Sequence, residues 1–157
     1  MAMSPLLLLA LCFPSVLCAN THNHGHHHEQ TAAAYTHYVD ELWTNVNYDY
    51  DTTHFSRVEL HDFFVFADTN KDGTITRHEY VTAATKNAPD LTEFTHGLFD
   101  TFDANGDHHL TLYDTEALYN RMDADGDAFI TKAEFYTFWT NVLNSLAHTH
   151  GNGHLLG

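Results

Sequence analysis

Residues 68–79 read DTNKDGTITRHE, and we call this segment loop 2 after its order in the chain. Oxygen-bearing side chains stand at alternate positions, and Gly73 supplies the sixth residue, where a tight turn needs a positive φ that glycine adopts without strain. A loop of this length and pattern can supply the roughly six to eight oxygen ligands that Ca²⁺ requires. Its expected ligands are the side chains of Asp68, Asn70, Asp72 and Glu79, the backbone carbonyl of Thr74 and, through a water, Thr76. The segment therefore predicts a calcium loop between two helices.

Residues 123–134, DADGDAFITKAE, repeat this pattern as loop 4. The expected ligands are the side chains of Asp123, Asp125, Asp127 and Glu134 and the carbonyl of Phe129, with Thr131 at the ninth position. Ala128 replaces the glycine, and a left-handed alanine costs about 1–2 kcal/mol, although Gly126 offers the loop another way to relax. We expect binding here that is weaker than four acidic side chains would otherwise give.

Residues 103–114, DANGDHHLTLYD, form the more altered loop 3. The expected ligands are the side chains of Asp103, Asn105, Asp107 and Asp114 and the carbonyl of His109, with Thr111 at the ninth position. His108 replaces the glycine, and Asp114 replaces the final glutamate with a side chain one methylene shorter. A single oxygen from Asp114 would lower the coordination number and favour Mg²⁺ relative to Ca²⁺. Two interpretations stay open: a weak or magnesium-tolerant site, and a folded loop that binds no calcium.

A fourth copy, loop 1, lies at residues 47–59, NYDYDTTHFSRVE. Asn47, Asp49 and Asp51 hold its first three ligand positions, but Glu59 ends a loop that is one residue too long. Neither glycine nor an aliphatic residue stands at the usual place. Because the longer loop should misplace its last ligand, we expect loop 1 to be free of metal.

The spacing of the loops predicts how they pair. They start at residues 47, 68, 103 and 123, which indicates a duplication with a period of about 55 residues. Loops 2 and 3 are separated by enough chain for two helices, so they should face each other with Ile75 opposite Leu110. Only a single helix fits between loops 1 and 2 and between loops 3 and 4. Loops 1 and 4 would then hang on these shared helices and pair with each other.

Helical periodicity fills the intervals between the loops. Apolar residues recur at steps of three and four, which is typical of amphipathic helices, and their aromatic members are expected in the core. These residues are Tyr35, Tyr38, Val39, Leu42, Trp43 and Val46; Leu60, Phe63, Phe64 and Ala67; Tyr80, Val81 and Ala84; Leu91, Phe94, Leu98, Phe99 and Phe102; Leu118, Tyr119 and Met122; and Phe135, Phe138, Trp139, Val142, Leu143 and Leu146. The sequence predicts an all-α domain over residues 35–147.

Residues 1–18 have the character of an export signal. Their apolar run is too short to span a bilayer and is followed by small residues suitable for cleavage before Ala19, with cleavage before Asn20 as the alternative. Both cysteines, Cys12 and Cys18, lie inside this segment. The exported chain would therefore lack disulfides, and bound metal is a candidate for stabilising it.

Histidines are concentrated at the two ends of the exported chain. We expect residues 19–34 to be a disordered His-rich segment and residues 148–157 to be a flexible His/Gly tail. The histidines are His22, His24, His26, His27, His28, His148, His150 and His154. Clustered imidazoles bind Zn²⁺ or Cu²⁺, while the alternative is a polar tail that gains charge as the pH falls.

The formal charge of −15 sets the class of partner. Such a chain repels nucleic acid and anionic membranes and attracts cations or basic proteins. Thirteen of its 21 acidic residues fall within the four loops, so the charge is focused on them. The sequence contains no nucleophile elbow, zinc-protease helix or phosphate loop, and we expect no enzymatic activity.

The loops and their flanking helices resemble the EF-hand superfamily over residues 35–147. The resemblance implies calcium binding by the ligands named for loops 2, 3 and 4. Together with the export signal and the His-rich ends, the chain looks like the secreted acidic calcium binders of mineralising extracellular matrices, whose partners are mineral surfaces or basic matrix proteins. Calcium sensors of the family expose a methionine-rich groove, whereas this chain has only Met122 after the signal.

Overall fold

The computed structural model describes residues 27–48, 53–86 and 89–151. Within them the chain forms six helices and four strands of two residues each. In order these are α1 (His27–Val46), β1 (His54–Phe55), α2 (Arg57–Val65), β2 (Ile75–Thr76), α3 (Arg77–Thr85), a 3₁₀ turn (Pro89–Leu91), α4 (Thr92–Phe102), β3 (His109–Leu110), α5 (Leu112–Met122), β4 (Ile130–Thr131) and α6 (Lys132–Gly151). The all-α prediction is confirmed. None of the helices in these ranges is both long and apolar enough to span a membrane.

The two terminal helices extend beyond the boundaries expected from the sequence. Helix α1 begins at His27, inside the segment expected to be disordered, and α6 continues to Gly151, inside the expected tail. The added first turns of α1 contain Glu, Gln and three alanines, which favour helix without needing an apolar face. Periodicity of apolar residues could not detect these turns. The expected signal, residues 1–18, lies outside the described residues.

The four short strands pair the loops as the spacing predicts. Strands β2 and β3 are antiparallel, with Ile75 opposite Leu110, so loops 2 and 3 form one pair. Strands β1 and β4 are also antiparallel, with Phe55 opposite Ile130, so loops 1 and 4 form the other. Both predictions of pairing are confirmed. Each pair joins a loop from the first half of the chain to one from the second half.

Two helices are shared between neighbouring loops. Helix α2 leaves loop 1 and enters loop 2, and α5 leaves loop 3 and enters loop 4. These two helices pack against each other, while α1 packs against α6 and α3 against α4. The two helix–loop–helix–loop–helix halves therefore interlock, and each loop is fixed at both ends by a packed helix.

The core between the helices consists mainly of aromatic and aliphatic side chains. Phe135 contacts Trp43 and Phe55 in T-shaped, edge-type arrangements with ring centroids 5.1 and 5.4 Å apart. Phe102 contacts Phe64 at 5.2 Å and Trp139 at 6.0 Å in the same manner. Edge-to-face geometry is the favoured arrangement of aromatic pairs. The expected core is confirmed, except that Tyr38, Val81 and Phe138 are only partly buried and the side chain of Tyr35 is not among those described.

Two arginines join the interlocked halves. Arg57 lies over the ring of Tyr119 with its guanidinium carbon 4.0 Å from the ring centroid, and it forms an ion pair with Glu116. Arg77 lies over the ring of Phe99 at 4.3 Å and forms an ion pair with Asp100. In both cases a base from the first half meets an aromatic ring and an acid from the second. Cation–π contacts of this kind add to the packing between the halves.

Tyr119 contacts both loops of the pair formed by loops 1 and 4. Its side chain is almost fully buried, and its hydroxyl oxygen lies 3.2 Å from the carbonyl oxygen of Phe55 and 3.1 Å from that of Ala128. The phenol can donate to either carbonyl, one in each loop. Burial raises the pKa of this phenol, so it keeps its proton over the working pH range.

We expect Tyr119→Phe to lower the free energy of unfolding by about 1 kcal/mol, since it removes a buried donor and leaves two carbonyl oxygens with one partner fewer. Urea denaturation of the purified protein measures the change. Tyr113→Phe on the same helix is the matched control, because Tyr113 is 63% exposed. Equal stabilities of the two variants would contradict the assigned role of Tyr119.

Candidate metal centres

The last carboxylate of loop 2 holds together both ends of the loop. Glu79 Oε2 accepts hydrogen bonds from Thr76 N at 3.0 Å and Thr76 Oγ1 at 2.8 Å. Its other oxygen, Oε1, accepts from Thr69 Oγ1 at 2.9 Å, near the start of the loop. These bonds, led by the one from the Thr76 backbone, lower the pKa of Glu79 to about 2. The side chain is therefore a carboxylate across the physiological pH range.

The same arrangement recurs in loop 4. Glu134 Oε2 accepts from Thr131 Oγ1 at 2.7 Å and Thr131 N at 2.9 Å, while Oε1 accepts from Ala124 N at 2.9 Å. The bond from the Thr131 side chain is the main cause of a lowered pKa for Glu134. The glutamate thus caps α6 and faces the opening of its own loop.

Asp114 reaches both ends of loop 3 despite its shorter side chain. Its Oδ2 accepts from Thr111 N and Thr111 Oγ1, both at 2.9 Å, and its Oδ1 accepts from Ala104 N at 3.0 Å. The residue is 2% exposed. The aspartate is therefore placed as the two glutamates are, although a shorter stem leaves less freedom for both oxygens to meet one ion.

The first aspartate of each of these loops organises the turn that follows it. Asp68 accepts from the backbone N–H of Lys71 at 2.7 Å and from that of Gly73 at 2.9 Å. Asp103 and Asp123 accept from the residues at the corresponding positions, including His108 N at 2.9 Å and Ala128 N at 3.0 Å. The turn is consequently closed around a carboxylate before any ion is considered.

The sixth residue of each of these loops has a positive φ, whatever its type. Gly73 has φ 81°, His108 has φ 67° and Ala128 has φ 72°. Of the two alternatives for loop 4, the structure has Ala128 in the left-handed region. Gly126 also has a positive φ of 75°, but it occupies its own turn and does not relieve the alanine. Loops 3 and 4 therefore keep the loop 2 backbone at a cost that glycine would avoid.

The fifth residue is an aspartate in loops 2, 3 and 4, but the third residue differs between them in a way that changes the charge. In loop 2 the amide of Asn70 donates to Asp72 Oδ2 at 2.9 Å, and in loop 3 the amide of Asn105 donates to Asp107 Oδ2 at 2.8 Å. The Asn105 bond is the main cause of a lowered pKa for Asp107. Loop 4 has Asp125 at the equivalent position, so it gathers four carboxylates where loops 2 and 3 gather three.

Loop 4 brings its acidic oxygens closest together. Asp123, Asp125 and Glu134 each offer one carboxylate oxygen, and these oxygens all lie within 4.8 Å of one another. Among the described residues, this is the one group of three or more His, Cys, Asp or Glu side chains whose ligand atoms lie this close together. It contains no histidine. Aspartate and glutamate oxygens are the ligands that Ca²⁺ and Mg²⁺ prefer. His22, His24, His26 and His154 lie outside the described residues.

The residues whose backbone carbonyls are expected to bind the ions lie at the start of the short strands or directly before them. Thr74 and Phe129 directly precede β2 and β4, and His109 is the first residue of β3. The backbone N–H groups of these three residues are bonded to the carboxylates of Asp72, Asp127 and Asp107 respectively. The fifth residue of each loop therefore fixes the peptide unit directly before the one that carries the expected carbonyl ligand.

Loop 1 corrects one prediction. Glu59 is not misplaced by the extra residue: its Oε1 accepts from Tyr48 N at 2.8 Å and its Oε2 from Ser56 N at 2.9 Å, as the last residues of the other loops do. Phe55 takes the pairing position where loops 2, 3 and 4 have an aliphatic residue. The positions from His54 to Glu59 therefore correspond to those that end the other loops. Asp49 and Asp51 lie outside the described residues.

Four hydroxyl residues each hold a final carboxylate; this contact was not predicted, although Thr76, Thr111 and Thr131 were expected at the ninth ligand position of their loops. They are Ser56, Thr76, Thr111 and Thr131. Each stands three residues before that carboxylate and bonds to it, which is the capping-box arrangement. The S/T-x-x-E/D spacing in the sequence could have identified all four.

The match to known proteins falls on one of these loops with its two helices. Residues 60–82 match the family model described as EF hand, and they include most of α2, all of loop 2 and the start of α3. No curated protein matches the chain, and no solved structure matches it. The match supports the EF-hand superfamily, and an EF-hand motif suggests calcium binding.

We expect Ala128→Gly to raise the free energy of unfolding by about 1 kcal/mol, because glycine removes the strain of the left-handed backbone. Ala124→Gly is the control in the same loop, since Ala124 is not among the residues with positive φ. That control should lose roughly 0.5–1 kcal/mol through the added freedom of the unfolded chain. Urea denaturation in the presence of a chelator compares the variants, and a loss of stability in Ala128→Gly would contradict the strain.

Proposed function

We propose that this chain is a calcium-binding protein in which loops 2, 3 and 4 each hold an ion and in which the bound ions stabilise the fold. The observation that carries the proposal is the convergence in loop 4, where oxygens of Asp123, Asp125 and Glu134 lie within 4.8 Å of one another. Mutual repulsion of carboxylates at that distance favours a bound cation. In this proposal the chain binds ions and catalyses no reaction.

The recurrence of one hydrogen-bond pattern supports extending the proposal to loops 2 and 3. In all three loops the first aspartate closes the turn, and the final carboxylate joins the start of the loop to the following helix. These carboxylates would hold the ion together with the carbonyls before or within the short strands. The bound ion would supply positive charge that screens the acidic side chains from one another.

Loop 3 is the proposed site with the greatest tolerance for Mg²⁺. Asp114 is buried, and its two oxygens already bond to Thr111 and Ala104. A single oxygen donated to the ion would suit six-coordinate Mg²⁺ better than it suits Ca²⁺, which takes more ligands.

We further propose that the protein acts outside the cell, as its export-signal character indicates. Weak extracellular EF-hand modules work at dissociation constants of roughly 10⁻⁴–10⁻³ M, which would fit the strained loops 3 and 4. A second candidate is association with a mineral surface or a basic matrix protein. The focusing of a net charge of −15 onto the loops favours this candidate.

Calorimetric titration of residues 19–157 with Ca²⁺, in the presence of millimolar Mg²⁺, should give two or three sites. Glu134→Gln should weaken one site by roughly tenfold or more, because it removes a charged ligand and disrupts the bonds to Ala124 and Thr131. The exposed Glu93 provides the matched control, Glu93→Gln, which should leave every site intact. A full set of unchanged sites in Glu134→Gln would contradict the assignment of loop 4.

Removal of calcium by a chelator should lower the melting temperature by on the order of 10 °C. One ion at a hundredfold excess over its dissociation constant adds about 2.7 kcal/mol to the native state, and a domain of this size loses a few degrees per kcal/mol. Scanning calorimetry with chelator and with excess Ca²⁺ measures the difference. Identical melting temperatures would rule out a stabilising role for the ion.

A further inference from the structure

Loop 1 keeps the architecture of the other loops in the half that precedes α2. Its strand β1 pairs with β4, Ser56 caps α2, and Glu59 joins Ser56 to the start of the loop through Tyr48 N. The carbonyl of His54 then stands five residues before Glu59. The carbonyl of Phe129 stands at the same distance before Glu134 and is expected to bind the ion in loop 4.

The difference between the loops is the first residue. Loops 2, 3 and 4 begin with an aspartate, which when ionised can only accept hydrogen bonds. Loop 1 begins with Asn47, and its side-chain Nδ2 donates a hydrogen bond to the carbonyl oxygen of His54 at 3.0 Å. In the other loops a cation would have to join these two positions, since a carboxylate and a carbonyl are both acceptors.

We propose that the Asn47 side-chain amide acts as an internal substitute for a cation: it joins the first residue of loop 1 to the His54 carbonyl and so holds β1 in place for loop 4 without a bound ion. This inference deepens the proposed function, because it rests on loop 4 as a calcium site and names what regulates that site. The N–H group presents its positive end to the carbonyl, as a metal ion would.

The effect reaches loop 4 through two contacts. Strand β1 pairs directly with β4, placing Phe55 opposite Ile130. The Tyr119 hydroxyl lies within hydrogen-bond distance of Phe55 O and Ala128 O, one from each loop. Because the Asn47 bond already joins the first residue of loop 1 to His54, strand β1 keeps loop 4 near the geometry in which it would bind an ion. Loop 4 should then fill independently, whereas loops 2 and 3 both need ions and are joined through β2 and β3.

Amide hydrogen exchange of the full chain in a chelator tests the first part of the proposal without any metal. Asn47→Asp replaces the donor by an acceptor of nearly the same shape, and Asn47→Ala removes it. Both should reduce the protection of Phe55 and Ile130 by roughly two- to tenfold, the range expected for one ordinary hydrogen bond. Addition of Ca²⁺ should restore more of that protection in Asn47→Asp than in Asn47→Ala, since only the former can offer a carboxylate.

Asn45→Asp is the matched control, because it makes the same chemical change two residues away on α1. The Asn45 side chain is exposed and bonds within its own helix, to Glu41 O at 2.6 Å. The amides of Ile75 and Leu110 in the other strand pair serve as the reference inside each variant. Unchanged protection of Phe55 and Ile130 in both Asn47 variants would overturn the proposal, and so would an equal loss in both strand pairs.

Calcium titration tests the second part. In Asn47→Ala the affinity of the site that Glu134→Gln removes should fall roughly two- to tenfold, while the sites of loops 2 and 3 stay unchanged. A loss of strand protection with full affinity at loop 4 would overturn the regulation of that site. Absence of calcium binding in the unmodified protein would refute the proposed function, yet the exchange experiment in chelator would still decide the role of Asn47.

Discussion

The carboxylate that ends each loop is the interaction on which the rest of the structure depends. It bonds to the Ser or Thr three residues earlier, which caps the helix that follows, and it accepts a hydrogen bond from the second residue of the loop. Glu59, Glu79, Asp114 and Glu134 all make this pair of bonds. Helices α2 and α5 each connect two loops. The position of one loop therefore also sets the direction in which the chain enters the next loop.

Interlocking of the two halves explains how a small acidic chain can form a core. Each half contributes one loop to each strand pair, so neither half can bury its aromatic residues alone. The Phe135 cluster draws on α1, β1 and α6, and the Phe102 cluster draws on α2, α4 and α6. With the acidic charge focused on the loops, ions at those loops would reduce the repulsion that opposes this packing.

The four loops form a graded series in how far asparagine amides of the same loop donate hydrogen bonds to the oxygens expected to bind an ion. Loop 4 contains four carboxylates. Loops 2 and 3 contain three, and in each an asparagine amide donates to one of them. In loop 1 the amide of Asn47 donates to the His54 carbonyl, which stands where the other loops have the expected carbonyl ligand. Amide donors replace charge step by step along this series. Each donor satisfies an oxygen that an ion would otherwise hold.

The sequence by itself determined the loops, the helical intervals and the pairing of loops 2 and 3. Those features depend on local residue types and on how many residues a helix needs, which the chain order states directly. Only the tertiary structure decided that Glu59 lies in place despite a longer loop, that α1 and α6 extend to His27 and Gly151, and that Asn47 bonds to His54. The physical reason is that these depend on where folding brings atoms in three dimensions, or on helical turns with no apolar face, and periodicity encodes neither.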